Sequence, residues 1–164
     1  MQTVILLVGV GLFAAIAYGD LRSRRIANGL SIAVAGLGLA RLALAGDWNA
    51  AAHTLAAAAV VFAVAVAMFW RGWLGGGDAK LLPAAALLVG FHDLFGFLVV
   101  MSLCGGAIAV AILIASKFGG PLRHLLPAAA PAAAEPPAPP TVPYGVAIAL
   151  AGVLILVLQS SVPG

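Results

Sequence analysis

The sequence predicts an all-α, polytopic membrane protein with about six transmembrane helices. Three observations predict it. Of the 164 residues, 64% are hydrophobic and only 8% charged, with mean hydropathy +1.18, whereas a soluble domain carries about 25% charged residues. Such a chain could not cover its own surface in water, which excludes the soluble globular, disordered and collagenous classes. Six apolar stretches reach or approach the roughly 20 residues that a membrane helix needs. Finally, the basic residues collect in alternate connectors.

Residues 2–19 form the first stretch. Ala15-Ile16-Ala17 resembles a signal-peptide cleavage site, but signal peptides carry positive charge before the apolar run, and here all of it follows. Gly11, Ala15 and Gly19 recur four apart, a spacing that predicts close packing against another helix of the same chain. Residues 29–45 carry Arg41 near one end, close enough to snorkel. Residues 50–70 are long and apolar; residues 81–91 are short, with Pro83 expected in the first helical turn, where proline is tolerated. So short a span needs help from flanking residues, bilayer thinning or packed neighbours. Residues 94–116 contain the single cysteine, Cys104, a packing residue with no partner for a disulfide. Residues 117–143 are rich in proline and alanine, stiffly extended, and read as a cytoplasmic linker before the last span, residues 144–159. The whole of 1–164 is one transmembrane domain.

The connectors give the orientation. Arg22, Arg24 and Arg25 follow the first span, Arg71 and Lys80 separate the third and fourth, and Lys117 and Arg123 follow the fifth. The opposite connectors, around 46–49 and 92–93, hold no lysine or arginine. The positive-inside rule makes the basic side cytoplasmic and places the N-terminus outside. The net charge of +3 therefore reflects topology. Eight basic residues without interleaved aromatics make no nucleic-acid face.

Acids are scarce. Asp47, Asp93 and Glu135 fall in connectors and read as solvated loop charges. Asp20 closes the first span and Asp78 precedes the fourth, within Gly75-Gly76-Gly77-Asp78-Ala79-Lys80. Two crossings separate them, so they return to the same face. Two carboxylates about 4 Å apart repel by roughly 4 kcal/mol at an effective dielectric of 20, about three pKa units. One then stays protonated near neutrality and the pair holds a single proton. The ionised member can activate water against a peptide carbonyl while the protonated one donates to the carbonyl oxygen. Three consecutive glycines bare the main chain, which lets an extended substrate approach. Taken singly, each aspartate also fits a boundary charge paired with Arg22, Arg24 or Lys80; their shared face beside the glycines favours the pair.

Gly75-Gly76-Gly77-Asp78 resembles the GxGD motif of the intramembrane aspartyl proteases, and Asp78-Ala79-Lys80 the D-x-K extension found in prepilin peptidases. Asp20 to Asn28 is similar to that family's first motif, an aspartate followed by basic residues and Ile-Pro-Asn, with Ala27 in place of the proline. Pro143-Tyr144-Gly145 looks like its C-terminal Pro-Tyr-Gly segment. The resemblance to the type IV prepilin peptidase family implies removal of a basic leader from a prepilin or pseudopilin at the cytoplasmic face of the bacterial inner membrane. It also implies that Asp20 and Asp78 are the catalytic pair, that Gly75, Gly76 and Gly77 shape the turn and meet substrate backbone, and that Asn28 and Lys80 support them. Larger members carry an N-terminal zinc-binding, methyltransferase domain. This chain starts at the first span without those cysteines, so it resembles the short, peptidase-only form of Flp/Tad pili. No cofactor is expected, nor a metal: His53, His92 and His124 are scattered. The competing readings are a presenilin-like or preflagellin-type protease, a proton or ion transporter using the two acids, and a non-catalytic pilus assembly factor. The Asp20–Asn28 segment and D-x-K favour prepilins over the first, and no inverted repeat supports the second.

Overall fold

Runs of leucine, valine, alanine and isoleucine have one solution in lipid. Every main-chain N–H and C=O must find a partner within the segment, and the α-helix supplies it. A computed structural model describes residues 2–23, 26–118 and 144–161 of the chain. They form six helices: α1 (Gln2–Ser23), α2 (Asn28–Ala45), α3 (Trp48–Trp70), α4 (Gly76–Val89), α5 (Phe91–Phe118) and α6 (Tyr144–Ser161). All except α4 are long and apolar enough to cross a membrane. Arg24, Arg25 and residues 119–143 of the expected linker, with Arg123, His124 and Glu135, lie outside the described residues. Lys117, the first residue of that expected stretch, belongs to α5.

The ends of α3 have local causes. The Asp47 carboxylate accepts the N–H groups of Asn49 and Ala50, each at 3.0 Å, and caps the helix. It is exposed, as its position suggested, and it also serves as the cap. At the other end Gly72 adopts φ 72°, Trp73 N–H donates to Met68 O at 3.0 Å and Gly72 N–H to Phe69 O at 2.9 Å. This is a Schellman closure, and it needs the left-handed residue that glycine provides.

Helix α4 is the hub. It packs against α2, α3, α5 and α6 and buries Leu81, Ala84, Ala85, Ala86, Leu88 and Val89. At 14 residues it is about 21 Å long, short of the roughly 30 Å apolar slab. Packed neighbours solve the difficulty. Arg41 donates to the carbonyls of Leu88 and, at 3.2 Å, Val89; Gln159 Nε2 donates to Val89 O at 2.8 Å and to Asp93 Oδ2 at 2.6 Å. The last carbonyls of α4 are thus satisfied inside the bundle. Arg41 is a cap and not a snorkelling charge, and Asp93 is a partner of Gln159 in the first turn of α5 and not a loop charge. Two further expectations change. Helix α4 starts at Gly76, not 81, so Asp78 sits in its first turn and Pro83 in its interior. The proline removes the N–H that the Ala79 carbonyl would otherwise accept.

Glycines set the closest approaches. A Cβ on Gly38 of α2 would lie 2.8 Å from the Leu88 main-chain nitrogen of α4. Gly152 of α6 seats the Phe13 ring of α1. The face of α1 that packs carries Gly9, Phe13, Ile16 and Asp20, all buried. The expected stripe of Gly11, Ala15 and Gly19 is not that face: Gly11 and Ala15 are exposed, and a Cβ on Gly11 would meet open space.

Candidate active site

One end of the bundle gathers the C-termini of α1 and α3 and the N-termini of α2, α4 and α6. Asp20 is carried there by the last turn of α1 and is only 6% exposed. Its Oδ2 accepts the N–H of Val146 at 3.1 Å, in the first turn of α6, where the helix dipole is positive. Gly145 makes this contact possible. A Cβ there would stand 2.8 Å from Asp20 Oδ2 and 2.9 Å from Ile26 Cδ1, closer than real side chains come.

Asp78 approaches from the first turn of α4, half-buried and outside the five spanning helices. Among the described residues its carboxyl makes no hydrogen bond or ion pair. Burial pushes this carboxyl up to about 6, and the nearby charge of Asp20 acts in the same direction. The two acids, with Ile26, Asn28, Gly75, Gly76 and Gly77, line a cavity of about 280 Å³. Lys80 stands beside it, its Nζ donating to Asn28 Oδ1 at 3.2 Å. Thus six of the seven residues singled out in the sequence share one cavity, and the seventh touches one of them.

The glycine triplet, expected to shape a turn, lies across the start of α4. Gly75 has φ −67° and ψ 146°, a conformation open to any residue, and Gly76 and Gly77 begin α4. Space is what requires glycine here. A Cβ on Gly75 would fall 3.0 Å from Asp78 Oδ2, one on Gly76 3.2 Å from the Phe69 ring, and one on Gly77 3.2 Å from Ile26 Cβ. The triplet lets α3 and the α1–α2 connector close upon Asp78.

Sequence reasoning missed Ile26, Gly145 and Val146 as parts of this site. Ile26 and Gly145 lay within the quoted motifs, so the signal existed. What they touch is set by packing across more than a hundred residues of chain. A second cavity of about 290 Å³ lies at the far end, lined by Ile5, Leu6, Leu44, Leu156, Arg41 and Gln159 among others. Its Arg41 and Gln159 are engaged in capping α4, and it holds no pair of acids. Among the described residues, no three histidine, cysteine, aspartate or glutamate side chains come together as a metal site would need.

Two carboxyls that line one cavity, one of them raised toward neutrality, can exchange protons with water and an amide. Comparison with known proteins bears on the same segment. Residues 7–110, which include both acids, match the model of the type IV leader peptidase family. No curated protein and no solved structure matches the chain.

Proposed function

The chain belongs to the type IV leader peptidase family, and from that premise we propose that it is a membrane-embedded aspartic endopeptidase with Asp20 and Asp78 as its catalytic pair. Its substrate is a type IV prepilin or pseudopilin of the Flp type, cut at the cytoplasmic face of the bacterial inner membrane. The observation that carries this is the convergence of two acids, one from α1 and one from α4, on one cavity lined also by three glycines.

The geometry distributes the roles. Asp20 accepts a main-chain N–H at the head of α6 and serves as the ionised member. Asp78 holds the shared proton. Asp20 takes a proton from water as the water oxygen attacks the scissile carbonyl carbon, and Asp78 gives its proton to the carbonyl oxygen. In the second half, Asp20 passes its proton to the leaving nitrogen as the C–N bond breaks. Asp78 then recovers a proton from the gem-diol, so the pair ends as it began. Arg22, Arg71 and Lys80, at the dyad's end among the described residues, support placing that end in the cytoplasm.

The test is cleavage of a purified pilin-like precursor in detergent or vesicles. Asp20→Asn and Asp78→Asn should each lower the rate by at least about a thousandfold while the protein still accumulates and folds. Near-normal processing by either variant overturns the assignment of the pair.

A further inference from the structure

Lys80 and Asn28, both exposed, meet at the rim of the cavity, and their contact favours one orientation of the Asn28 amide. An ammonium only donates hydrogen bonds, and the Lys80 Nζ lies 3.2 Å from Asn28 Oδ1. The atom it meets is therefore the amide oxygen, and the N–H2 end is turned away from it. Among the described residues that N–H2 donates to no group. Asn28 opens α2 behind the extended Ala27 and lines the cavity shared by Asp20 and Asp78. The other lining residues are two acids, an isoleucine and three glycines. Asn28 is the neutral side-chain donor in that wall.

A peptide entering the cavity gives up water at several carbonyls. Asp78 has one proton to give, and it goes to the scissile oxygen. A neighbouring carbonyl left without a donor costs binding free energy. Aspartate at position 28 could not answer this need, because it offers no hydrogen and adds a third negative charge beside the pair.

We propose that the Asn28 amide N–H2 donates to a main-chain carbonyl oxygen of the peptide substrate in the Asp20–Asp78 cavity, with Lys80 as the positioning residue that holds the amide in that orientation. This rests on the aspartic-peptidase reading above and adds to it a substrate contact and the residue that sets it.

The experiment compares kcat and KM for cleavage of a pilin-like precursor across a short series of variants, with thermal melts to verify folding. Asn28→Ala should raise KM about tenfold and move kcat little, because the lost bond is made in the bound state and the transition state alike. Asn28→Gln keeps an amide on a longer arm and should fall between Asn28→Ala and the parent, which guards against a result due to misfolding alone. Lys80→Met should raise KM severalfold, and Lys80→Arg, another pure donor, should recover most of that. In the Asn28→Ala background, Lys80→Met should add nothing. An unchanged KM in Asn28→Ala overturns the proposal, as do effects of the two substitutions that multiply independently. Asp20→Asn and Asp78→Asn are assayed alongside. Near-normal cleavage by either of them brings down the assignment of the catalytic pair, whereas their inactivity with an unaltered Asn28→Ala brings down only the substrate contact.

Discussion

The catalytic role proposed for Asp78 and the folding cost of its buried carboxyl can be measured separately. Its carboxyl is pushed up to about 6 from an ordinary value of 3.8, first by burial and then by Asp20. A raised acid disfavours the folded state once it ionises. Below about pH 4 the group is neutral in both states and costs nothing; the penalty grows between about 4 and 6 and is complete above that. Asp78→Asn should therefore melt at a higher temperature than the parent above pH 6, with the difference vanishing near pH 4. Activity runs with the same proton. The one-proton form of the pair is the working form, so kcat/KM should fall as pH rises through about 6, a pH–rate profile being the check. Gly145 acts at the same scale. Gly145→Ala would force a Cβ to within 2.8 Å of Asp20 Oδ2, displacing the carboxylate from the Val146 N–H. Alanine is the better helix former, so α6 should persist by circular dichroism while cleavage drops about a hundredfold.

Among the elements, the connector into α2 and the short helix α4 show how local chemistry and neighbours divide the work. Ala27 has φ −64° and ψ 130°, the conformation that proline fixes. Ala27→Pro should thus stabilise the protein by about 0.4–1 kcal/mol by restricting the unfolded chain, read as a higher melting temperature in detergent with unchanged activity. The family's proline at this position then has a physical reason: it stiffens the approach to Asn28. The existence of five long helices was legible in the sequence because transfer of apolar side chains into lipid is nearly additive along the chain. The start of α4 was not. Hydropathy begins at Leu81, but the helix begins at Gly76, where glycines that read as a loop fit the space beside Phe69 and Ile26. The far end of α4 was hidden for a related reason. Arg41 and Gln159 are distant in sequence, and only their meeting at the Val89 carbonyl, with Gln159 also donating to Asp93, turns isolated polar residues into a cap.

For the whole molecule, the charge partition and the dyad make one orientation prediction. The dyad end carries Arg22, Arg71 and Lys80 among the described residues, and the opposite end carries Arg41, bound to main-chain carbonyls. With Cys104 replaced, a cysteine at Ser23 should react with a membrane-impermeant thiol reagent only from the cytoplasmic side of oriented vesicles, and one at Asn49 only from the other. The reverse pattern would put the acids outside and defeat cleavage at the cytoplasmic face. The sequence by itself determined the apolar solvent of this protein, its helical class and the partition of its basic residues among alternate segments, and it singled out a pair of acids. These are properties of composition and order along a line, where each residue's cost in lipid adds to the next. Only the tertiary structure decided that Asp20 lies against the head of α6, that the glycines serve close packing and that α4 shelters among its neighbours. Steric exclusion and hydrogen bonding act over a few ångströms, and which atoms come that near is fixed by how the helices pack.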